Sequence, residues 1–423
     1  MTAVAILLPV LLLIIGTPVF LVLLTGVAVV FLFLQPIRPV ALHQVLFGGL
    51  DNYALLAVPF FVLAGQLMGR SGIAERLIDW VLALVGRIPG SLGVATVGGS
   101  TVLGAVSGSS VAAVAALGRT LHPQLERAGY GRARAAGLVA SAGAIDIVIP
   151  PSIAMILYGL AAEQSIARLF VGGILPGLVM AAMMAGFIVA MAVWLRLPVT
   201  GRFSAAEVAR TSRAALAALL MPVVVLGGIY NGWFSPTEAG GVACLYAILV
   251  ARYHYRSMSW GQIVATAGDA ALLSARILII VAAAGLVTWV LTTRGVPQAM
   301  VAWIAALEVG PVSFLLAVNA ALLLVGCLLD PSSAILVLAP LLVPVAVSLG
   351  VDPIHFGIVM TVNLAIGMFT PPFGLNLFVA QQVTGVSVTE LYRGVMPFVL
   401  VMIAALAVIT YVPSLSLALW RPL

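Results

Sequence analysis

The chain has 423 residues, 63% of them hydrophobic and only 8% charged. Soluble domains carry about 25% charged residues, so this composition excludes a water-soluble globular fold and makes lipid the solvent. All 19 basic residues are arginine and the net charge is +6. They gather at the ends of apolar segments, which is what membrane topology requires, and no nucleic-acid partner is expected.

Runs 3–34, 170–195, 214–230, 271–293, 312–329 and 396–420 are mostly uncharged and near spanning length. They predict an all-α polytopic membrane protein; a β-barrel would instead show alternating segments of roughly 10 residues. The first run lacks a basic leader and reads as a helix at 1–17 rather than a cleaved signal. Cys244 and Cys327 fall in apolar segments, with no C-x-x-C pattern, and read as small buried residues. The histidines at 43, 122, 254 and 355 fall at segment ends and predict interfacial positions.

Shifted by 221 residues, the sequence meets itself. Pro123 meets Pro344, Gly129 meets Gly350, Pro150–Pro151 meets Pro371–Pro372, Gly173 meets Gly394 and Pro176 meets Pro397. Ala144–Ile145 meets Ala365–Ile366, while Asp146 meets Gly367. Two copies of one unit follow, at 18–195 and 238–423, joined by a connecting arm and helix at 196–237. Arg70, Arg76, Arg87, Arg119, Arg127, Arg132 and Arg134 cluster within the first copy, and Arg196, Arg202, Arg210 and Arg213 follow it. With these and Arg252, Arg256, Arg276 and Arg393 in the cytoplasm, only Arg38, Arg168, Arg294 and Arg421 face outside. The segment 90–118 then starts and ends inside, and 311–349 starts and ends outside. Both are predicted re-entrant hairpins, and the copies are inverted, an arrangement found in secondary transporters.

The first hairpin turns at Ser107-Gly108-Ser109-Ser110 and the second at Asp330-Pro331-Ser332-Ser333. Hydroxyls beside Gly or Pro free backbone carbonyls, and these hard oxygen ligands suit a small alkali cation. Each double proline removes N–H donors and pushes the preceding residue, Ile149 or Thr370, out of the helical region. The helices at 135–160 and 354–384 therefore break in two, and such ends bind ions. Pro150, Pro151 and Ser152 form the first candidate break; Gly367, Thr370, Pro371 and Pro372 form the second. Asn363 and Asn376 flank the latter as ligands or as interhelical hydrogen-bonding groups, and Asp146 lies one turn before Pro150. Glu238, in SPTEAG, reads as a helix cap.

The stretches LLAVPFFVLAG, SGSSVAAVAALG, IPPSIAMILYG, SPTEAGGVACLYA, LDPSSAILVLAPLLVP, DPIHFGIVMTVNLAIG and TPPFGLNLF resemble the large membrane subunit of tripartite ATP-independent periplasmic (TRAP) transporters, the DctM-like family. The resemblance runs over nearly the whole chain. It implies an elevator-type ion transporter of the bacterial inner membrane, in which hairpins and broken helices slide against a scaffold and a sodium gradient drives uptake. It implies a periplasmic substrate-binding protein, an organic acid substrate, and a small four-helix membrane subunit as a separate chain. No cofactor beyond the transported sodium is expected. Sodium ligation carries over to the two tips and breaks, at Ser109, Ser110, Pro150, Asp330 and Thr370. Two positions depart from the family pattern: Ala113 stands where an aspartate is common, and Asp146 where a glycine is common.

Two other readings compete. A channel would share the architecture. An intramembrane aspartyl protease would pair Asp146 with Asp330, but neither sits in a GxGD sequence.

Overall fold

A computed structural model describes residues 7–9, 11–13, 15–33, 39–197, 199 and 204–420. Part of the expected first helix, and Arg38, Arg202 and Arg421 of the topology argument, lie outside the described residues. All regular structure among the described residues is helical. The run 3–34 is not one helix: a turn at Ile15–Gly16 precedes α1 (Val19–Phe33). There follow α2 (Pro39–Gly48), α3 (Ala57–Arg70) and α4 (Ile73–Val85).

The first hairpin is α5 (Ser91–Ser107) and α6 (Ser110–Leu125), two helices packed on each other. Its second arm runs past residue 118. The helix beyond it comes in three pieces: α7 (Arg132–Ala142), α8 (Ile145–Val148) and α9 (Ile153–Ala161). The parts before and after the double proline are bent by 46°. Next come α10 (Ile166–Trp194), α11 (Ala205–Tyr230), α12 (Pro236–Leu249), the 34-residue α13 (Trp260–Thr293) and α14 (Val296–Ala306). A second hairpin, α15 (Pro311–Gly326) and α16 (Pro331–Ser348), precedes α17 (Pro353–Gly367) and α18 (Leu375–Thr384), which flank the second double proline. α19 (Val388–Tyr411) and α20 (Ser414–Leu417) close the described chain. Both Pro-Pro peptide bonds are cis.

Serine and aspartate cap many of the helix starts. Ser109, Ser152, Ser165, Ser204 and Asp330 each accept a backbone N–H of the first turn. This satisfies donors that lipid cannot. Ser235 with Glu238, Ser259 with Gln262 and Ser387 with Glu390 form full capping boxes; Glu238 is thus the cap its sequence context predicts.

Among the described residues, six helices are long and apolar enough to cross a membrane, or seven if the bent pair is one span. Two of them lie outside the apolar runs picked out above: Tyr53–Arg70, which Gln66 and Arg70 interrupt, and Pro331–Ser348, the second arm of the second hairpin. The protein is a multi-pass membrane protein. Large apolar side chains such as Leu216, Val223, Leu316, Leu324 and Leu400 are exposed, which suits a lipid-facing surface. Two of the histidines at segment ends are buried within the protein. His122 is buried against the Arg132 carbonyl. His355 is buried between Ser416 Oγ and the Thr410 carbonyl, with both ring nitrogens satisfied.

Candidate functional site

The first tip forms because α5 ends at Ser107 and Gly108 takes φ +57°, a left-handed value that costs glycine little. Ser109, extended, then caps α6. A side chain at Gly108 would also have no room: its Cβ would stand 2.6 Å from the Pro151 carbonyl oxygen. The tip therefore touches the first break directly.

Asp146, on α8, is fully buried, and Ser107 Oγ donates to its Oδ2 at 3.0 Å. The Ser109 N–H lies toward the same carboxylate and donates to Ser107 Oγ at 3.3 Å. Asp146 Oδ1 has no hydrogen-bond partner. Gly104 makes space for this side chain, since its Cβ would lie 2.7 Å from both Asp146 Cα and Oδ1. Pro150, Pro151 and Ser152 are buried, and Ser152 Oγ accepts the Met155 N–H as the cap of α9.

The second break also reaches this place. Asn376 Nδ2 donates to Ser110 Oγ at 2.6 Å and to the Ala140 carbonyl at 3.1 Å. Both amide hydrogens are spoken for, which fixes the amide orientation and leaves Asn376 Oδ1 buried without a partner. Asn363 repeats the pattern. Its Nδ2 donates to the carbonyl and Oδ1 of Asn319, at 3.1 and 2.9 Å, and its own Oδ1 is unpartnered. Asn319 in turn donates to Thr410 Oγ1 at 3.0 Å. Both asparagines thus make interhelical hydrogen bonds and still offer an oxygen.

The second tip is organised differently. Asp330 accepts the N–H and the hydroxyl of Ser333, at 3.1 and 2.5 Å, while Ser332 is half-buried. Among the described residues no hydrogen bond joins Asp330, Ser332 or Ser333 to Thr370, Pro371 or Pro372. The link is backbone to backbone, one turn back: a Cβ on Gly367 would meet the Gly326 carbonyl carbon at 2.4 Å. Thr370 Oγ1 donates back to the Ile366 carbonyl at 2.8 Å. Pro371 is half-buried, and Pro372 is exposed with its carbonyl held by the Tyr392 hydroxyl.

The hydroxyls of Ser107, Ser333 and Thr370 each donate their proton to an oxygen. Each keeps a lone pair, Ser107 only one because it also accepts the Ser109 N–H, and the oxygens of Asp146, Asn363 and Asn376 are unpartnered. Such a set can hold a hard cation. It offers no acid–base pair: Asp146 is engaged by Ser107 and Asp330 by Ser333, with no hydrogen bond between them. Gly104, Gly326 and Asn319 are residues of this site that sequence reasoning missed. Gly104 and Gly326 lie in the predicted first arms of the two hairpins, where a small residue one turn before the tip is the available signal.

The profile of the tripartite ATP-independent periplasmic transporter family, DctM component, matches residues 6–415. The chain belongs to this family. It is 43% identical over 374 residues to the C4-dicarboxylate TRAP transporter large permease protein DctM of Pseudomonas aeruginosa, covering 88% of each chain. It is 38% identical to the ectoine/5-hydroxyectoine TRAP transporter large permease protein UehC of Ruegeria pomeroyi, covering 96% of each. It is 36% identical to the 2,3-diketo-L-gulonate TRAP transporter large permease protein YiaN of Escherichia coli, covering 95% and 94%. The solved structure of the Alcanivorax borkumensis YdaH transporter matches with a TM-score of 0.61 at 19% identity, covering 95% of this chain and 97% of that one; this supports the fold. As a TRAP large permease component, the protein is a transporter subunit and not an enzyme.

Proposed function

We propose that this chain is the large membrane subunit of a sodium-coupled importer of organic acids in the bacterial inner membrane. A periplasmic binding protein hands over the solute, a small membrane subunit completes the scaffold, and the hairpins with their broken helices move as an elevator. The observation that carries the coupling is the group of fully buried oxygens without a donor, Asp146 Oδ1, Asn363 Oδ1 and Asn376 Oδ1. Buried acceptors are normally satisfied, and a cation satisfies several at once. Sodium would be held in two places. The first takes Asp146, Ser107, Ser109 and Ser110 with the carbonyls at Pro150; the second takes Asp330, Asn363 and the backbone at Thr370. Relatives at similar identity are named for solutes as different as a C4-dicarboxylate, 2,3-diketo-L-gulonate and isethionate, so the reading stays at an organic acid and names no single solute.

The test is reconstitution in liposomes with the small subunit and the binding protein. Uptake is expected only with an inward sodium gradient and with binding protein present. Uptake without sodium dependence would overturn the coupling, and steady flux down the solute gradient without binding protein would make the protein a channel.

A further inference from the structure

A cavity of about 340 Å³ lies between the first hairpin and the helices α3 and α13. That volume is within the range of small-molecule sites. Its origin is legible in two helix faces. On α6 the residues Ser109, Ala112, Ala116 and Arg119 recur every three or four positions and so share one face. The alanines leave the space, and Arg119 stands ten residues from Ser109, roughly 15 Å along the helix. On α3, Gly65 precedes Gln66 and Gly69 precedes Arg70, so each long polar side chain stands beside a residue with no side chain.

The charges in this cavity do not balance. Arg70 is neutralised by Asp269 at 2.7 Å and also donates to Thr266 Oγ1 at 3.1 Å. Arg119 is exposed and has no ion pair or hydrogen bond among the described residues, so no protein carboxylate answers its charge. At the other end stand the Ser109 hydroxyl and Ser107, and between them Gln66 Oε1 is buried with no partner. An amide can donate or accept according to which way it turns, so it can meet a hydroxyl, a carbonyl or a second carboxylate. One guanidinium without a protein counter-charge, one unpartnered amide and a hydroxyl, spread along a cavity otherwise lined mostly by alanine, glycine and branched aliphatic side chains, make a site for an anion that carries a further polar group.

We propose that this cavity holds the transported organic anion on the arginine-rich side of the hairpin tip, with a carboxylate on Arg119 and its second polar group on Gln66 and Ser109. Arg119 and Gln66 are then substrate-binding residues of this chain. The proposal rests on the importer reading above, but not on its sodium coupling.

A cysteine placed in the cavity tests it without measuring transport. In a Cys244→Ala, Cys327→Ala background, Ala116→Cys is alkylated by a water-soluble maleimide in the purified complex with the small subunit. Succinate, L-malate, D-gluconate and glycerol serve as probes. At least one of the anions is expected to slow alkylation, and glycerol to have no effect. Arg119→Gln should raise the anion concentration giving half-protection about tenfold or more, Arg119→Lys less, and Gln66→Leu should weaken the polar-substituted anions more than it weakens succinate. Failure of every anion to protect would overturn the proposal, as would protection by glycerol or unchanged protection in Arg119→Gln. Liposome uptake with and without sodium reads the coupling separately, so sodium-independent uptake with intact protection would remove only the coupling.

Discussion

The two halves of the molecule solve one problem with opposite materials. In each, the first arm of a hairpin must pass close to a helix just before its double proline. In the second half both partners are glycine, and Gly326 lies against Gly367 with no side chain between. In the first half the glycine is on the hairpin, at Gly104, and the helix contributes a buried carboxylate, Asp146. The breaks differ in the same sense, since Pro150 and Pro151 are enclosed whereas Pro371 and Pro372 reach the surface. The fold therefore does not require a carboxylate before a broken helix. Such a group costs at least about 2.5–3.5 kcal/mol at membrane depth, so in the first half its retention points to function.

Exchanging the two residues should break this comparison most severely, and asymmetrically. Gly367→Asp would drive a Cβ into the Gly326 backbone at 2.4 Å, and backbone cannot swing aside as a side chain can. The expected cost is about 3 kcal/mol or more, seen as loss of the monodisperse detergent-solubilised complex or a large fall in Tm. Asp146→Gly should remain folded, because the change removes a buried polar side chain and introduces no clash. Equal Tm losses would show that the two contacts are equivalent packing.

A subtler change sharpens the functional half of the contrast. Asp146→Asn keeps the shape and an acceptor for Ser107 but removes the charge. Half-maximal uptake should then need about tenfold more sodium, roughly the 1.4 kcal/mol that separates a charge-assisted contact from a neutral one. Sodium-induced thermal stabilisation should shift in parallel. Asp330→Asn should matter less for sodium, because that side chain already accepts two bonds from Ser333. Unchanged sodium dependence in Asp146→Asn would make Asp146 a structural group.

What the sequence revealed divides along physical lines. Breaks and turns were legible because backbone chemistry enforces them locally: a double proline ends a helix wherever it stands, and the Gly108 turn and the Ser235–Glu238 box depend on neighbours within a few residues. Composition sufficed for the membrane class. Burial at segment ends was not legible, because it depends on partners far along the chain. His355 meets Thr410 and Ser416, and no local pattern announces them. The union of Asp146 with Ser107, of Asn363 with Asn319, and of Asn376 with Ser110 belongs to the same class. The stripe of Ser109, Ala112, Ala116 and Arg119 could have been read from helical spacing alone, but its meaning as a cavity needed the opposing wall of α3 and α13.

The smallest expected effect tests whether the halves are independent at all. Asn376 follows the second double proline yet bonds Ser110 at the tip of the first hairpin, at 2.6 Å. If this bond ties the second break to the first tip, Ser110→Ala and Asn376→Ala should not add. Ser110→Ala alone leaves Asn376 its bond to the Ala140 carbonyl at 3.1 Å, so its cost should be modest, about 1 kcal/mol. Asn376→Ala loses both donors and strands a buried carbonyl and a hydroxyl, at about 1–3 kcal/mol. Once Asn376 is gone, removing the Ser110 hydroxyl should cost little more, since its strongest partner has already left. The double-mutant cycle, read from unfolding midpoints of the detergent-solubilised complex, should show a coupling of about 1 kcal/mol. The sodium requirement of Ser110→Ala should also rise slightly, because the hydroxyl lies on the proposed ion site. Strict additivity would mean that the two breaks act separately, and the coupling of one half to the other would then run through the packing of α18 on α6 and α7 and of α19 on α7.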